Sequence, residues 1–164
     1  MFWTATLNWL YIYSVLPQFY QATLSTLKIS FISILLSIVV GLLCSVILNN
    51  RIFILDKIVT IYIELSRNTP LLIQLFFLYY GLPKIGIKLD GLTCGIIGLT
   101  FLGGSYMAEV FRAGLQSVST GQIDSAKSVG LNSFQVFRYV TLPQALALSI
   151  PAIGANCLFL IKES

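Results

Sequence analysis

Two runs of twenty residues without a charge, Ile29–Leu48 and Leu142–Ile161, constrain this chain more than any other feature. At about 1.5 Å per residue, each forms a helix roughly as long as the hydrocarbon core of a bilayer is thick. No water reaches backbone groups inside that core, so a spanning segment must satisfy them itself, which a helix does. The composition agrees: with 57% hydrophobic residues, 10% charged residues and a mean hydropathy of +0.88, a soluble domain of 164 residues could not cover itself with polar surface. The expected fold class is an all-α integral membrane protein. Ten Lys and Arg against six Asp and Glu give a net charge of +4, but the basic residues are scattered and form no run, which excludes a nucleic-acid surface. Cys44, Cys94 and Cys157 are odd in number, and each lies in an apolar run with no CxxC pair and no histidine in the chain. They read as small apolar fillers, with no metal site.

Residues 1–22 carry Phe2, Trp3, Trp9, Tyr11, Tyr13, Phe19 and Tyr20 and no basic residue. Without a positive start and a small-residue cleavage site this is no signal peptide, and the aromatic belt predicts an interfacial helix. Residues 23–48 form a first span, stopped by Asn49-Asn50-Arg51. Residues 58–81 form a second, interrupted by Glu64, Arg67 and Asn68-Thr69-Pro70. Proline lacks an N–H and disfavours helix at the residue before it, so the helix breaks near Thr69 and restarts with Pro70 in its first turn. The piece from Pro70 to Gly81 is about 18 Å long, too short to cross alone, and needs the polar half before it. Residues 92–112 form a third span, with Gly91, Gly95, Gly98 and Ser105 giving a face for close helix approach. Residues 142–162 form the fourth, broken by Pro143 and Pro151 and softened by Gly154. Gly81 and Gly86 have the gap of a phosphate-binding loop, but Ile87 precedes Lys88 and no Ser or Thr follows, so ATP is not bound that way.

Between the third and fourth spans lies a polar bridge, residues 113–141. From Gly121 to Gly130 it predicts a short surface helix: Asp124 in the first turn suits the helix dipole, Ile123 and Ala126 share one face, and Gly130 suits the C-terminal cap. A second short helix follows, with Asn132 or Ser133 as N-cap and Phe134, Phe137 and Val140 as its apolar side. Helix, glycine turn, helix and Leu142-Pro143 make a rigid protrusion at a membrane surface, read as a docking element; pattern alone also fits an amphipathic loop lying on lipid headgroups. Arg51, Lys57, Arg112, Lys127 and Arg138 on the bridge side, against Lys28, Lys84 and Lys88 on the other, favour a cytoplasmic bridge.

The bridge resembles the Glu-Ala-Ala loop of permease subunits of bacterial ATP-binding-cassette importers. Asp124-Ser125-Ala126, Gly130 and Val140-Thr141-Leu142-Pro143 fall at that loop's spacing, with Asp and Ser standing for Glu and Ala. Two more stretches resemble the subfamily that imports polar amino acids such as glutamine, histidine or arginine: Tyr62 to Leu75, containing Glu64, Arg67, Thr69, Pro70 and Gln74, and Ser105 to Gly114, containing Glu109 and Arg112. The resemblance implies a permease subunit that pairs with a second, identical or different, permease subunit. A cytosolic ATPase dimer would bind the loop formed by Gly121, Gln122, Asp124, Ser125, Ala126, Gly130, Leu142 and Pro143, and a periplasmic or lipid-anchored binding protein would deliver the amino acid. ATP and magnesium would sit on the ATPase; this chain would hold no cofactor and no catalytic residue. The family continues past the Lys162-Glu163-Ser164 step into one more transmembrane helix, so the resemblance also implies that this final helix is missing, and a non-transporting remnant or half of a split permease is the alternative expectation.

Glu64 and Arg67 are three apart, as are Glu109 and Arg112, and charges inside a bilayer are costly unless paired. Cross-helix pairs such as Glu64 with Arg112 are expected at the cytoplasmic gate, with snorkelling to water as the plain alternative. Thr69, Pro70 and Gln74 are assigned to the translocation path, because a broken helix exposes backbone groups useful to a polar substrate.

Overall fold

A computed structural model describes residues 9–49 and 53–164, and every regular element among them is helical. The long helices are α1 (Trp9–Asn49), α2 (Phe53–Asn68), α4 (Gly91–Gln116) and α7 (Leu142–Glu163). Between them lie the short α3 (Leu71–Phe76), α5 (Thr120–Ser128) and α6 (Ser133–Val136). Among the described residues, three stretches are long and apolar enough to cross a membrane unbroken: Tyr11–Asn49, Gly91–Gln116 and Ser133–Glu163.

The expected interfacial segment and first span are one helix. α1 runs for 41 residues through Pro17, because nothing between that proline and Ile29 ends a helix: no Gly, and Lys28 as the single charge. At about 60 Å it is twice the thickness of the hydrocarbon core. Phe2 and Trp3 of the expected aromatic belt lie outside the described residues.

The remaining crossing, second in chain order, is the broken one, whereas 142–162, expected to be broken by Pro143 and Pro151, runs as one helix through Pro151. α2 stops at Asn68, Pro70 caps α3 with extended backbone (φ −55°, ψ 137°), and α3 continues into a π-helical turn, Phe77–Gly81, and a 3-10 turn, Leu82–Ile85. Gly86, at φ 90°, closes that end.

α4 is the central helix, packed against α1, α2, α3 and α7. Its neighbours fix the directions. Going up α4, Gly95 faces Ile29, Gly103 faces Ser37, and Gly41 faces Met107 and Ala108, so α1 and α4 run parallel. Gly98 faces Leu75 while Ser105 meets Ser66, and Gly103 faces Leu160 while Gly114 faces Ala145 and Ser149, so α2–α3 and α7 run the other way. α2 and α3 thus form one crossing interrupted at Thr69-Pro70, as the lengths required.

The glycine face read from the sequence holds in part, since Leu75 packs against Gly98 and Ser105 is buried against Ser66, but the close seam between α1 and α4 uses other residues. Gly91 faces open space, and the close approaches are at Gly103, Gly104 and Gly41. On α1 the partner stripe is Ser30, Ser33, Ser37, Gly41 and Ser45, spaced three or four apart and buried. Small residues let backbones touch, and the hydroxyls of Ser30 and Ser45 bond back to the carbonyls of Thr26 and Leu42, so they cost little in an apolar setting.

Lys57, Arg67, Arg112, Lys127 and Arg138 sit toward the bridge end, and Lys28, Lys84, Lys88 and Lys162 toward the opposite one, so the described residues divide five to four rather than the expected five to three; Arg51 lies outside them.

Candidate docking loop and charged cavity

α5 and α6 build the bridge by local chemistry. α5 starts at Thr120, one residue earlier than expected, which puts Asp124 in the second turn rather than the first. It ends in a Schellman arrangement: Gly130 N–H donates to Lys127 O at 2.9 Å and Leu131 N–H to Ala126 O at 3.3 Å, with Gly130 left-handed at φ 89°. A side chain there would be strained, so glycine is required. α6 opens with a capping box, in which Asn132 Oδ1 accepts from Gln135 N–H and Gln135 Oε1 from Asn132 N–H, both at 2.9 Å.

The inward residues are Ala126, expected from the sequence, and Val136, which was not. Phe134, expected on the apolar side, is 74% exposed, and Val129 is 79% exposed. The reason is that α6 is a single turn passing into a π-helical turn, Phe137–Thr141, so 3.6-residue periodicity does not carry across it. Phe137 lines a small gap with Leu42, Phe111, Leu115 and Leu146, which seats the bridge on α1, α4 and α7. Gly121, Gln122, Asp124 and Ser125 face outward, and Leu142-Pro143 lie where the π-helical turn passes into α7. The bridge is thus a rigid polar-sided knob with a bare apolar tip.

At the same end of the bundle, α2 and α4 with the end of α1 enclose a cavity of about 780 Å³ lined by Asp56, Lys57, Glu64, Arg67, Glu109 and Arg112. Glu109 is its hub. Arg112 Nη2 lies 2.9 Å from Glu109 Oε2, Arg67 Nη1 lies 3.9 Å from the same oxygen, and the Arg67 guanidinium sits 5.2 Å from the Tyr106 ring centroid. The cross-helix pair is therefore Arg67 with Glu109, and the expected pair of Glu64 with Arg112 does not form. Arg112 is turned toward Glu109, one helical turn back on its own helix, which leaves Glu64 on the cavity wall without an ion pair among the described residues. These side chains are about a third or more exposed, so each contact stabilises the fold by no more than about 1 kcal/mol. What they provide is a wall with three carboxylates and three cations.

Above it, Ser66 is fully buried; its hydroxyl contacts Phe101 O at 3.0 Å and Ser105 Oγ at 3.1 Å, and Tyr62 O–H donates to Phe101 O at 2.7 Å. Thr69 and Gln74 line a separate, apolar cavity of about 400 Å³ with Leu65, Ile73, Phe77 and Phe101. The structure thus divides the expected path residues: Glu64, Arg67, Glu109 and Arg112 share the charged cavity, and Thr69, at the break, and Gln74, beyond it, line the apolar one.

Three helical crossings around a central glycine-rich fourth, with a folded loop at one end, define an all-α polytopic membrane protein. The chain belongs to the family described as the binding-protein-dependent transport system inner membrane component, which it matches over residues 37–164. It is similar to the probable amino-acid permease protein YxeN of Bacillus subtilis, 39% identical over 162 residues, covering 97% of this chain and 72% of that protein. It is also similar to the probable glutamine ABC transporter permease GlnP of the same organism, 36% identical, covering 86% of this chain and 65% of that protein. Among solved structures it resembles an amino acid ABC transporter with histidines, with a TM-score of 0.88 and 33% identity over 96% of this chain and 74% of that one. The fold is shared with the methionine ABC transporter MetNI at 23% identity and a TM-score of 0.71.

Proposed function

We propose that this chain is the membrane-spanning subunit of an ATP-driven importer for a polar amino acid, working in a bacterial cytoplasmic membrane. The observation that carries the reading is the bridge: a capped, glycine-locked helix pair seated on the bundle, with Val129 and Phe134 bare at its tip. A cytosolic ATPase dimer would grip α5 and the tip, so that closure of the two ATPases on ATP and magnesium pulls the bridges of two paired permease subunits together. The charged cavity at the same end of the bundle is then the cytoplasmic gate. Glu64, Arg67, Glu109 and Arg112 exchange partners as it opens, while Thr69, Pro70 and Gln74 border the path above. A binding protein would hand over the amino acid at the opposite face. The names of the similar proteins support the substrate class, since they include glutamine and general amino-acid permeases.

The test is co-purification of the membrane-extracted chain with its candidate ATPase. Wild type is expected to retain the ATPase, while Gly130→Asp, which strains the left-handed turn, and Asp124→Lys, which reverses an exposed charge on α5, lose it. Wild type that never retains the ATPase, or variants that retain it fully, would refute docking at the bridge.

A further inference from the structure

Pro70 removes one donor from the second crossing, and a single side chain replaces it. In an unbroken helix the Ser66 carbonyl would accept from the N–H of residue 70 and the Thr69 carbonyl from that of residue 73. Residue 70 is proline and has no N–H. Ile73 N–H donates instead to the Pro70 carbonyl at 3.0 Å. Both stranded carbonyls accept from Gln74: its Nε2 lies 3.1 Å from Ser66 O and 2.9 Å from Thr69 O. A side-chain amide carries two N–H bonds, so this arrangement uses both. The anchor at the far end is firm, because the Ser66 hydroxyl is buried against Phe101 O and Ser105 Oγ of α4. A line of hydrogen bonds therefore runs from α3 through Gln74 to the end of α2 and across to α4.

We infer that Gln74 is a positioning residue for the permease: its amide stands in for the donor missing at Pro70 and clasps α3 to α2. The direction of α3 over the apolar cavity is then set by this side chain together with the packing of Leu71 and Leu75 on Gly98 of α4, rather than by a continuous helix. Releasing that side chain frees the whole segment Leu71–Gly81 to re-orient about the Thr69-Pro70 joint. The importance of this for transport rests on the reading of α2–α3 as a path-lining crossing, but the clasp itself can be tested without transport.

The test is a mutant cycle on the full chain in lipid nanodiscs, read by amide hydrogen exchange across Leu71–Gly81. Gln74→Met keeps length and flexibility and removes both donors; it is expected to lower protection of that segment about tenfold. Pro70→Ala returns a donor for the Ser66 carbonyl. Relative to Pro70→Ala alone, adding Gln74→Met is expected to lower protection by no more than about threefold. Equal losses in the two backgrounds would mean that Gln74 matters only for packing, and no loss in Gln74→Met would mean there is no clasp; either result overturns the inference. Should Gln74→Met fail to fold, recovery of a monodisperse chain in the Pro70→Ala background is the expected outcome, and failure of both variants overturns the inference too. Binding of an ATPase is not read in this experiment, so a failed docking reading and a failed clasp give different results.

Discussion

Adding one methyl group at Gly41 and at Gly154 is expected to shift stability in opposite directions, although both lie within helices. An ideal Cβ on Gly41 would lie 2.9 Å from the Ala108 amide nitrogen and from the Met107 carbonyl carbon, and closer still to Met107 Cβ. Carbon contacts are comfortable at about 3.5–4.0 Å, so relieving the Met107 Cβ contact would require α1 and α4 to part by more than about 1 Å. The obstructing atoms are mainly helix backbone, so no rotamer relieves the clash, and the cost falls in the upper part of the range of about 1–3 kcal/mol for overpacking. Alanine recovers about 1 kcal/mol in helix propensity, leaving Gly41→Ala destabilised by about 1–2 kcal/mol. Gly154 has nothing within 4 Å of its ideal Cβ, so only the propensity gain remains. At about 2–4 °C per kcal/mol for a chain of this size, thermal unfolding in a lipid-like detergent should show Gly41→Ala falling by about 2–8 °C and Gly154→Ala rising by about 2–4 °C. A Gly41→Ala variant as stable as Gly154→Ala would refute the tight α1–α4 seam.

Two further outcomes follow from the charged groups. Glu109→Gln removes the partner of both Arg67 and Arg112, so a double-mutant cycle between positions 109 and 112 should give a coupling of up to about 1 kcal/mol that shrinks with salt. The cycle between positions 64 and 112 should give none, and an equal coupling there would show that the cavity pairs differently. Asp90 caps α4, and the Thr93 hydroxyl (2.5 Å) and N–H (3.2 Å) hold its exposed carboxyl below the ordinary carboxylate range. A lowered folded value stabilises above the ordinary carboxylate pKa and loses that contribution as pH falls through the folded value. Hydrogen exchange in the first turn of α4 should therefore rise only below the ordinary carboxylate range, and Asp90→Asn, which keeps the cap but does not titrate there, should flatten that pH dependence. An unchanged profile in the variant would assign the acid sensitivity elsewhere.

The bridge was the most legible part of the site. Its glycine turn and its Asn132 cap follow from short-range rules that act within a few residues, although Asp124, expected in the first turn, lies in the second. The break at Thr69-Pro70 was legible for the same reason, since proline changes the backbone whatever surrounds it. What failed was each reading that needed a partner. Phe134 was assigned inward by periodicity, but the single-turn α6 does not keep that period. Gln74 carried no visible signal for its part in the break, apart from lying four residues after the proline.

The sequence by itself determined the class, the approximate spans, the broken crossing and the folded loop, because hydrophobic run length, proline geometry and capping chemistry act along the chain. Only the tertiary structure decided that α1 is one long helix seated on α4 through a serine and glycine stripe, and that Glu109 rather than Glu64 holds the two arginines. Which residues meet across two helices depends on their rotation and offset. A packed seam such as Gly41 against Met107 and Ala108 sets those two quantities, and no local pattern contains them.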